Sequence, residues 1–431
     1  MFGWKLLKYI KRRDRIMRVY KKSTKLDHVC YDIRGPIVEE AKRMEEAGES
    51  IIKLHTGNPA TFGFEVPDVI LREMTENLSH AHGYTDSKGI KTAREAICKF
   101  SRGKGIPVKG VDDVYIGNGV SELIMIAMQG LLNNDDEILI PSPDYPLWTA
   151  AVNLAGGTAV HYRCDELSDW NPDLLDIQKK VSPRTKGIVI INPNNPTGAV
   201  YSREILQQIV DLAVANHLIV FTDEIYDRIL YDGEEHVSTA SLSDETLFVT
   251  MNGLSKSHRI AGFRAGWMVI SGNKAMASDY LEGLTILSSM RLCSNAPSQY
   301  AISIALSNQQ SIYDLTSPGG RLREQRDYAW ERLNSIPGFS CVKPKAALYL
   351  FPKVDTERFG IKDDQRLIYD LLVQEKVLLV QGTGFNWSQP DHFRFVFLPE
   401  MAQLKEALDR IERFMGSYRQ SQKGIHREMV V

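Results

Sequence analysis

The chain has 431 residues, 43% hydrophobic and 25% charged, with a formal net charge of −2. These are the proportions of an ordinary globular protein too long for one typical core, so two domains are expected. The near-neutral balance gives no global reason to bind nucleic acid or membrane, and no apolar run is long enough to span a bilayer.

The first 22 residues, MFGWKLLKYIKRRDRIMRVYKK, are strongly basic. They read as a disordered tail or an over-extended reading frame upstream of Met17, ahead of an amphipathic anchor. Pro36 suits the first turn of a helix running to Glu45, with Ile37, Val38, Ala41 and Met44 at helical spacing. Strand-like IIKLHTG follows and ends at Gly57-Asn58-Pro59; helices are predicted at 67–78 and 87–101. The pattern then tightens into strand–helix repeats: strand 114–116 and helix 121–132, strand 137–140 and helix 147–155, strand 187–191 and helix 202–216. Strand 218–222 leads to Asp223-Glu224, and strand 247–251 ends just before Ser255-Lys256. Short continuous apolar strands separated by helices predict an α/β fold, a mostly parallel sheet covered by helices. Beyond about residue 310 the pattern changes to a smaller α+β domain: helix 319–335, strands near 339–351, helix 364–375, strands 376–380 and 393–398, and helix 401–420. The expected organisation is a basic extension (1–24), a segment joining the small domain (25–60), a large cofactor-binding domain (61–305), the small C-terminal domain (306–420) and a tail (421–431).

In such sheets ligands bind outside the carboxyl ends of the strands, where the polar clusters that follow these strands fall. In SKSHRIAGFR, Lys256 precedes Arg264 by eight residues and follows Ser255. A lysine that forms an imine with an aldehyde must be reachable and partly deprotonated, and a nearby guanidinium favours that while clamping a phosphate. The combination suits pyridoxal phosphate, with the aldehyde carbon on Lys256 and the phosphate on Arg264 and Ser255; a solvated basic loop is the competing reading. Gly117-Asn118-Gly119-Val120-Ser121 joins a strand to a helix start, an anion site beside Arg264 or a steric turn. Asp223 ends the apolar strand of LIVFTDEIY: it is a helix cap, or a carboxylate that keeps a pyridine nitrogen protonated. Tyr226 and Asn195 can bond a ring hydroxyl, although NNPTG also suits a plain turn. Tyr145 in PDYP can stack on a planar ring or simply pack in its loop. Arg394, inside an apolar strand, needs a carboxylate partner, and Gly57 allows close backbone approach for a substrate carboxylate. The five cysteines (Cys30, Cys98, Cys164, Cys293, Cys341) form no CxxC pair; reduced thiols suit them better than disulfides or a zinc site, and no metal is expected.

Together SKSHRIAGFR, NNPTG, the Asp223–Tyr226 pair and the late Arg394 resemble the signature of class I/II, fold-type I pyridoxal-phosphate aminotransferases over roughly residues 25–420. GNPATFGFE, GYTDSKG, GNGVSELI, INPNNPTGAVYS and VLLVQGTGFNW are similar to the bacterial glutamate–pyruvate (alanine) branch. The resemblance implies Lys256 as Schiff-base lysine and proton shuttle, Asp223 on the pyridine nitrogen, Asn195 and Tyr226 on the ring hydroxyl, and Tyr145 on the ring face. It implies Gly119, Val120, Ser121, Ser255 and Arg264 on the phosphate, and Arg394 on the α-carboxylate with Gly57 and Asn195. Tyr84 matches a tyrosine reaching the neighbouring subunit's phosphate, which implies a homodimer with shared sites. The implied reaction is ping-pong transfer between small amino acids and 2-oxo acids in the cytoplasm, foremost L-alanine and 2-oxoglutarate. Aspartate, aromatic or branched-chain transamination and a carbon–sulfur β-lyase share the scaffold, and a cofactor-sensing regulator is the rival of another class. Arg34 is a candidate mobile cation for a carboxylate side chain or an ordinary interdomain ion pair. Two positions depart from the family: His258 stands where Tyr or Phe is usual, and Ala346 where glycine is usual.

Overall fold

The computed structural model describes residues 20–29, 35–308 and 310–420. Its centre is an eight-stranded sheet in the order Val114–Asn118, Ala265–Gly272, Leu247–Gly253, Ile219–Asp223, Thr185–Ile191, Glu137–Ser142, Thr158–Asp165, Asn171–Pro172. The five neighbours from Leu247–Gly253 to Thr158–Asp165 are mutually parallel. Ala265–Gly272 runs antiparallel to both of its neighbours, and the short last strand is also antiparallel.

Alternation along the strands supplies two cores. Ile138, Ile140, Val189, Ile191, Phe221, Val249 and Met251 pack on one face with Leu123, Trp148 and Leu284. Leu139, Ile188, Ile190, Val220 and Phe248 face the other way, onto Ile97, Leu206, Ile209 and Ile302. Because both faces are covered, the strands read as unbroken apolar runs, and each fully buried Ile, Leu or Phe contributes about 1.5–3 kcal/mol.

A third core gathers Ile37, Ala41, Met44, Ile52 and Leu54 with residues 312–418, among them Leu333, Leu372, Phe393, Leu408 and Phe414. The segment that enters it from the chain start is helix Pro36–Glu46, whose proline occupies the first turn where no backbone donor is needed. Strand Ile52–Lys53 then pairs in parallel with Val377–Leu378. Strand Phe393–Val396 lies between Tyr349–Leu350 and Val380–Gln381, antiparallel to both.

Several elements differ from the expectation, among them helices Ser278–Met290 and Ala296–Ser307, which were not predicted. IIKLHTG forms only the two-residue strand Ile52–Lys53, because Gly57 and the 3-10 turn Pro59–Phe62 carry the chain away from the sheet. Strands Thr158–Asp165 and Ala265–Gly272 are not among the predicted elements. The second follows Arg264 directly, and its reversed direction brings its first residue to the edge where the parallel strands end.

Candidate active site

That edge bounds a cavity of about 500 Å³. Gly57, Val120, Ser121, Tyr145, Asn195, Asp223, Tyr226, Ser255, Lys256, Arg264 and Arg394, all named from sequence, line it. Gly119 sits immediately behind, at φ 78 and ψ 166, capping helix Val120–Leu131. A side chain there would strike Arg264, with its Cβ 2.7 Å from the guanidinium carbon. Glycine is required by both the dihedrals and the approach. Arg264 spans the gap between neighbouring strand ends: its Nη2 donates to Asn118 O at 3.1 Å and its Nη1 to Ala261 O at 2.9 Å. A guanidinium beside a helix start makes a ready anion cradle.

Lys256 Nζ donates to Gly57 O at 2.6 Å, so a turn from the chain start holds the amine at the cavity wall. Asp223 is buried, accepting from Trp148 Nε1 at 3.4 Å and from the Ile225 amide at 3.3 Å, both neutral donors. Burial pushes its carboxyl up to about 6, against the lowering effect of those two bonds. A cationic ring nitrogen brought against it would hold the carboxylate ionised. Arg394 Nη1 donates to Asn195 Oδ1 at 2.9 Å and Nη2 to His55 O, while its guanidinium carbon stands 4.4 Å from the Tyr349 ring centre and 4.6 Å from that of Phe385. Two aromatic faces thus hold an arginine that lines the cavity. The donor set fits pyridoxal phosphate from end to end: an anion cradle, an amine, a buried acid for a pyridinium and a carboxylate clamp.

One predicted residue lies elsewhere. Tyr84 is 82% exposed and absent from the cavity wall. Arg34 falls outside the described residues. Several wall residues were missing from the sequence reading: Val38, His55, Thr56, Ile191, Ile225, Ala261 and above all Tyr349. Tyr349 reaches under Gly57, where any Cβ would meet its ring at 2.7 Å, and its hydroxyl is 2.6 Å from that of Tyr226. Its sequence signal was an aromatic two residues past Ala347, too ordinary to single out.

The two departures have structural explanations. His258 is buried, with Nε2 2.8 Å from Ala305 O and Nδ1 2.9 Å from Ser257 Oγ. A carbonyl only accepts, so Nε2 carries the hydrogen and Nδ1 accepts from the serine. Burial takes this ring down to about 4, keeping it neutral. At Ala346 the amide donates to Gly198 O at 2.9 Å, and the left-handed residue is the next one, Ala347 at φ 64.

Residues 49–411 match the family described as aminotransferase class I and II. The chain belongs to that family. It is 59% identical over 404 residues to the glutamate–pyruvate aminotransferase AlaA of Escherichia coli K12, covering 94% of this chain and 100% of the relative. It is 56% identical to an alanine aminotransferase of Mycobacterium bovis, over 94% of each chain. A crystal structure of an aminotransferase from Escherichia coli superposes with a TM-score of 0.93 at 59% identity, covering 94% of this chain and 100% of that one. The protein is therefore an aminotransferase with pyridoxal 5′-phosphate as its cofactor, acting on amino acids and 2-oxo acids. Among the described residues no helix is long and apolar enough to cross a membrane, and no group of three or more His, Cys, Asp or Glu is placed to hold a metal ion.

Proposed function

We propose that this aminotransferase exchanges the amino group between L-alanine and 2-oxoglutarate, yielding pyruvate and L-glutamate. The observation that carries the chemistry is the placing of Lys256 Nζ on Gly57 O, in one cavity with Asp223 and Arg394. The choice of alanine is supported by the relatives named for that reaction, at 56–59% identity over nearly the whole chain.

Bound pyridoxal phosphate supplies the aldehyde carbon that takes up the amino group and a ring that accepts electrons. Val120, Ser121, Ser255 and Arg264 hold its phosphate against the dipole of helix Val120–Leu131, and Gly119 leaves room for the arginine. Asp223 would pair with the ring nitrogen of the bound cofactor, and Tyr145 would cover its ring. Asn195 and Tyr226 bond the ring hydroxyl. Arg394 would take the α-carboxylate in a bidentate pair, with Gly57 and Asn195 beside it and Lys256 in the same cavity. Lys256 Nζ would take and hold the proton at Cα, and the bound cofactor would supply the electron sink that this proton transfer needs. The same carboxylate clamp serves donor and acceptor, as a ping-pong exchange requires.

Tyr84 belongs to this reading as a phosphate ligand of the neighbouring subunit in a homodimer, which accounts for its lying on the surface of a single chain. Arg34 is the candidate counter-charge for the side-chain carboxylate of glutamate, and the protein works in the cytoplasm. Supplying L-alanine with 2-oxoglutarate and following pyruvate tests the substrate assignment. Much faster turnover of aspartate or phenylalanine overturns it. Mixed dimers of Lys256→Ala and Tyr84→Phe subunits test the shared site: recovery of activity above either parent supports it, and no recovery overturns it.

A further inference from the structure

The turn that follows strand Ile219–Asp223 has two sides. Asp227 N donates to Glu224 O at 3.1 Å and Ile229 N to Tyr226 O at 2.9 Å, a tight winding in which residues three apart share a side. Asp223 and Tyr226 line the cavity. Glu224 and Asp227 are buried behind them and meet Lys104, whose Nζ donates to Glu224 Oε2 at 2.5 Å and to Asp227 Oδ2 at 2.9 Å. Lys104 caps the end of helix Lys91–Gly103, 120 residues from Glu224 in the chain. Its side chain is 15% exposed, and those of the two acids 0% and 4%, so the three charges stand out of water.

We propose that Lys104 is a positioning residue for the cofactor: by tying Glu224 and Asp227 together behind the turn, it holds Asp223 and Tyr226 at the ring and sets the charge behind them. The inference rests on the roles proposed above for Asp223 and Tyr226.

Two carboxylates on one side of one turn repel each other, and burying them without a cation is costly. Glu224 also accepts from Ser238 Oγ at 2.8 Å, from the Thr239 amide at 3.2 Å and from Thr222 Oγ1 at 3.2 Å, so four donors and no acceptor surround it. Burial works against the charge on Lys104, but Asp227 and Glu224 hold it above its ordinary value. Burial works against Asp227 too, and Lys104, followed by Arg228 and His236, holds it below its own. Arg228 lies with its guanidinium carbon 4.6 Å from the Phe100 ring centre. His236 Nε2 stands 3.1 Å from Asn192 O and 4.0 Å from the Glu224 carboxylate, and burial lowers that ring, so it brings no full charge. Backbone bonds pin the ends of the turn, Glu224 N on Met251 O and Ala347 N on Ile229 O. Between those ends the ion cluster fixes the back. Without Lys104 the acids part, and Asp223 and Tyr226 on the front of the same turn lose their placing.

The test has two readouts: equilibrium titration of the apoenzyme with pyridoxal phosphate, and pH titration of the holoenzyme's cofactor absorption band. In Lys104→Met the affinity falls about 10-fold or more. The band's midpoint rises by about half a unit to one unit, because one added negative charge favours the protonated form. Adding Glu224→Gln to Lys104→Met restores the charge count while removing a further contact, and the midpoint returns to that of the wild type. Lys104→Arg keeps a charge and two donors and retains both readouts. A cluster serving stability alone lowers Tm in Lys104→Met and moves neither. Wild-type affinity or a wild-type midpoint in Lys104→Met therefore overturns the proposal, as does a double variant shifted as far as the single one. Should Lys104→Met fail to fold, Asp227→Asn decides: a lowered midpoint supports the proposal and an unchanged one overturns it. Wild-type cofactor affinity in Asp223→Asn would instead overturn the underlying role of Asp223.

Discussion

Gly119→Ala probes how the phosphate cradle is built. At φ 78 and ψ 166 the residue lies in a region that is essentially glycine's alone, and an alanine held there costs about 1–3 kcal/mol. The new methyl would also sit 2.7 Å from the Arg264 guanidinium carbon, well inside contact distance, so the arginine must move off the cradle. Losing one charge-assisted bond to the phosphate removes roughly 1.5–3 kcal/mol of binding, a drop of about 10- to 100-fold in cofactor affinity. Strain in the cofactor-free protein lowers Tm by roughly 2–6 °C. Equilibrium titration of the apoenzyme with pyridoxal phosphate reads the first effect and thermal unfolding the second. Gly262→Ala is the matched control two residues before Arg264, since its Cβ meets nothing within 4 Å. Equal affinity and equal Tm in the two variants would refute the reasoning.

Lys256→Ala keeps the fold and loses turnover by about 1,000-fold or more, and borohydride no longer fixes cofactor to the chain; a covalent adduct found by mass spectrometry at another lysine would refute the assignment. Arg394→Lys keeps the charge but not the fork, so kcat/KM falls about 10- to 100-fold for amino donor and oxo-acid acceptor alike, and a loss confined to one half-reaction counts against a shared clamp. Asp223, raised to about 6, binds its proton more tightly folded than unfolded, so its contribution to apoenzyme stability is full below pH about 4 and is lost as pH rises through about 6. Urea unfolding of the apoenzyme at pH 4.5 and 7.5 therefore shows a smaller fall for Asp223→Asn than for the wild type, by on the order of 2 kcal/mol; equal falls would show that Asp223 is not the titrating group.

Much of this site was legible in one dimension because βα repeats bring successive strand ends to one edge. Short motifs at those ends, from Gly119 to Asn195, Asp223 and Lys256, meet without any long-range information beyond the repeat. The lysine and arginine of SKSHRIAGFR were readable for a further reason: their imine and phosphate chemistry demands particular residue types. Direction and distant pairing were not legible. An apolar run such as AGWMVISG has the same composition whether it runs up or down the sheet, yet only the antiparallel choice sets Arg264 at the working edge. Tyr349 lies 123 residues from the phenol it touches, and Gly57 lies 199 residues from the lysine it holds. By itself the sequence determined the cofactor, the nucleophilic amine and the mostly parallel sheet, since these depend on local periodicity and on residue chemistry. Tertiary structure alone decided the neighbours of that amine, because packing of the third core, which no local pattern encodes, carries Gly57, Tyr349 and Arg394 onto the sheet edge.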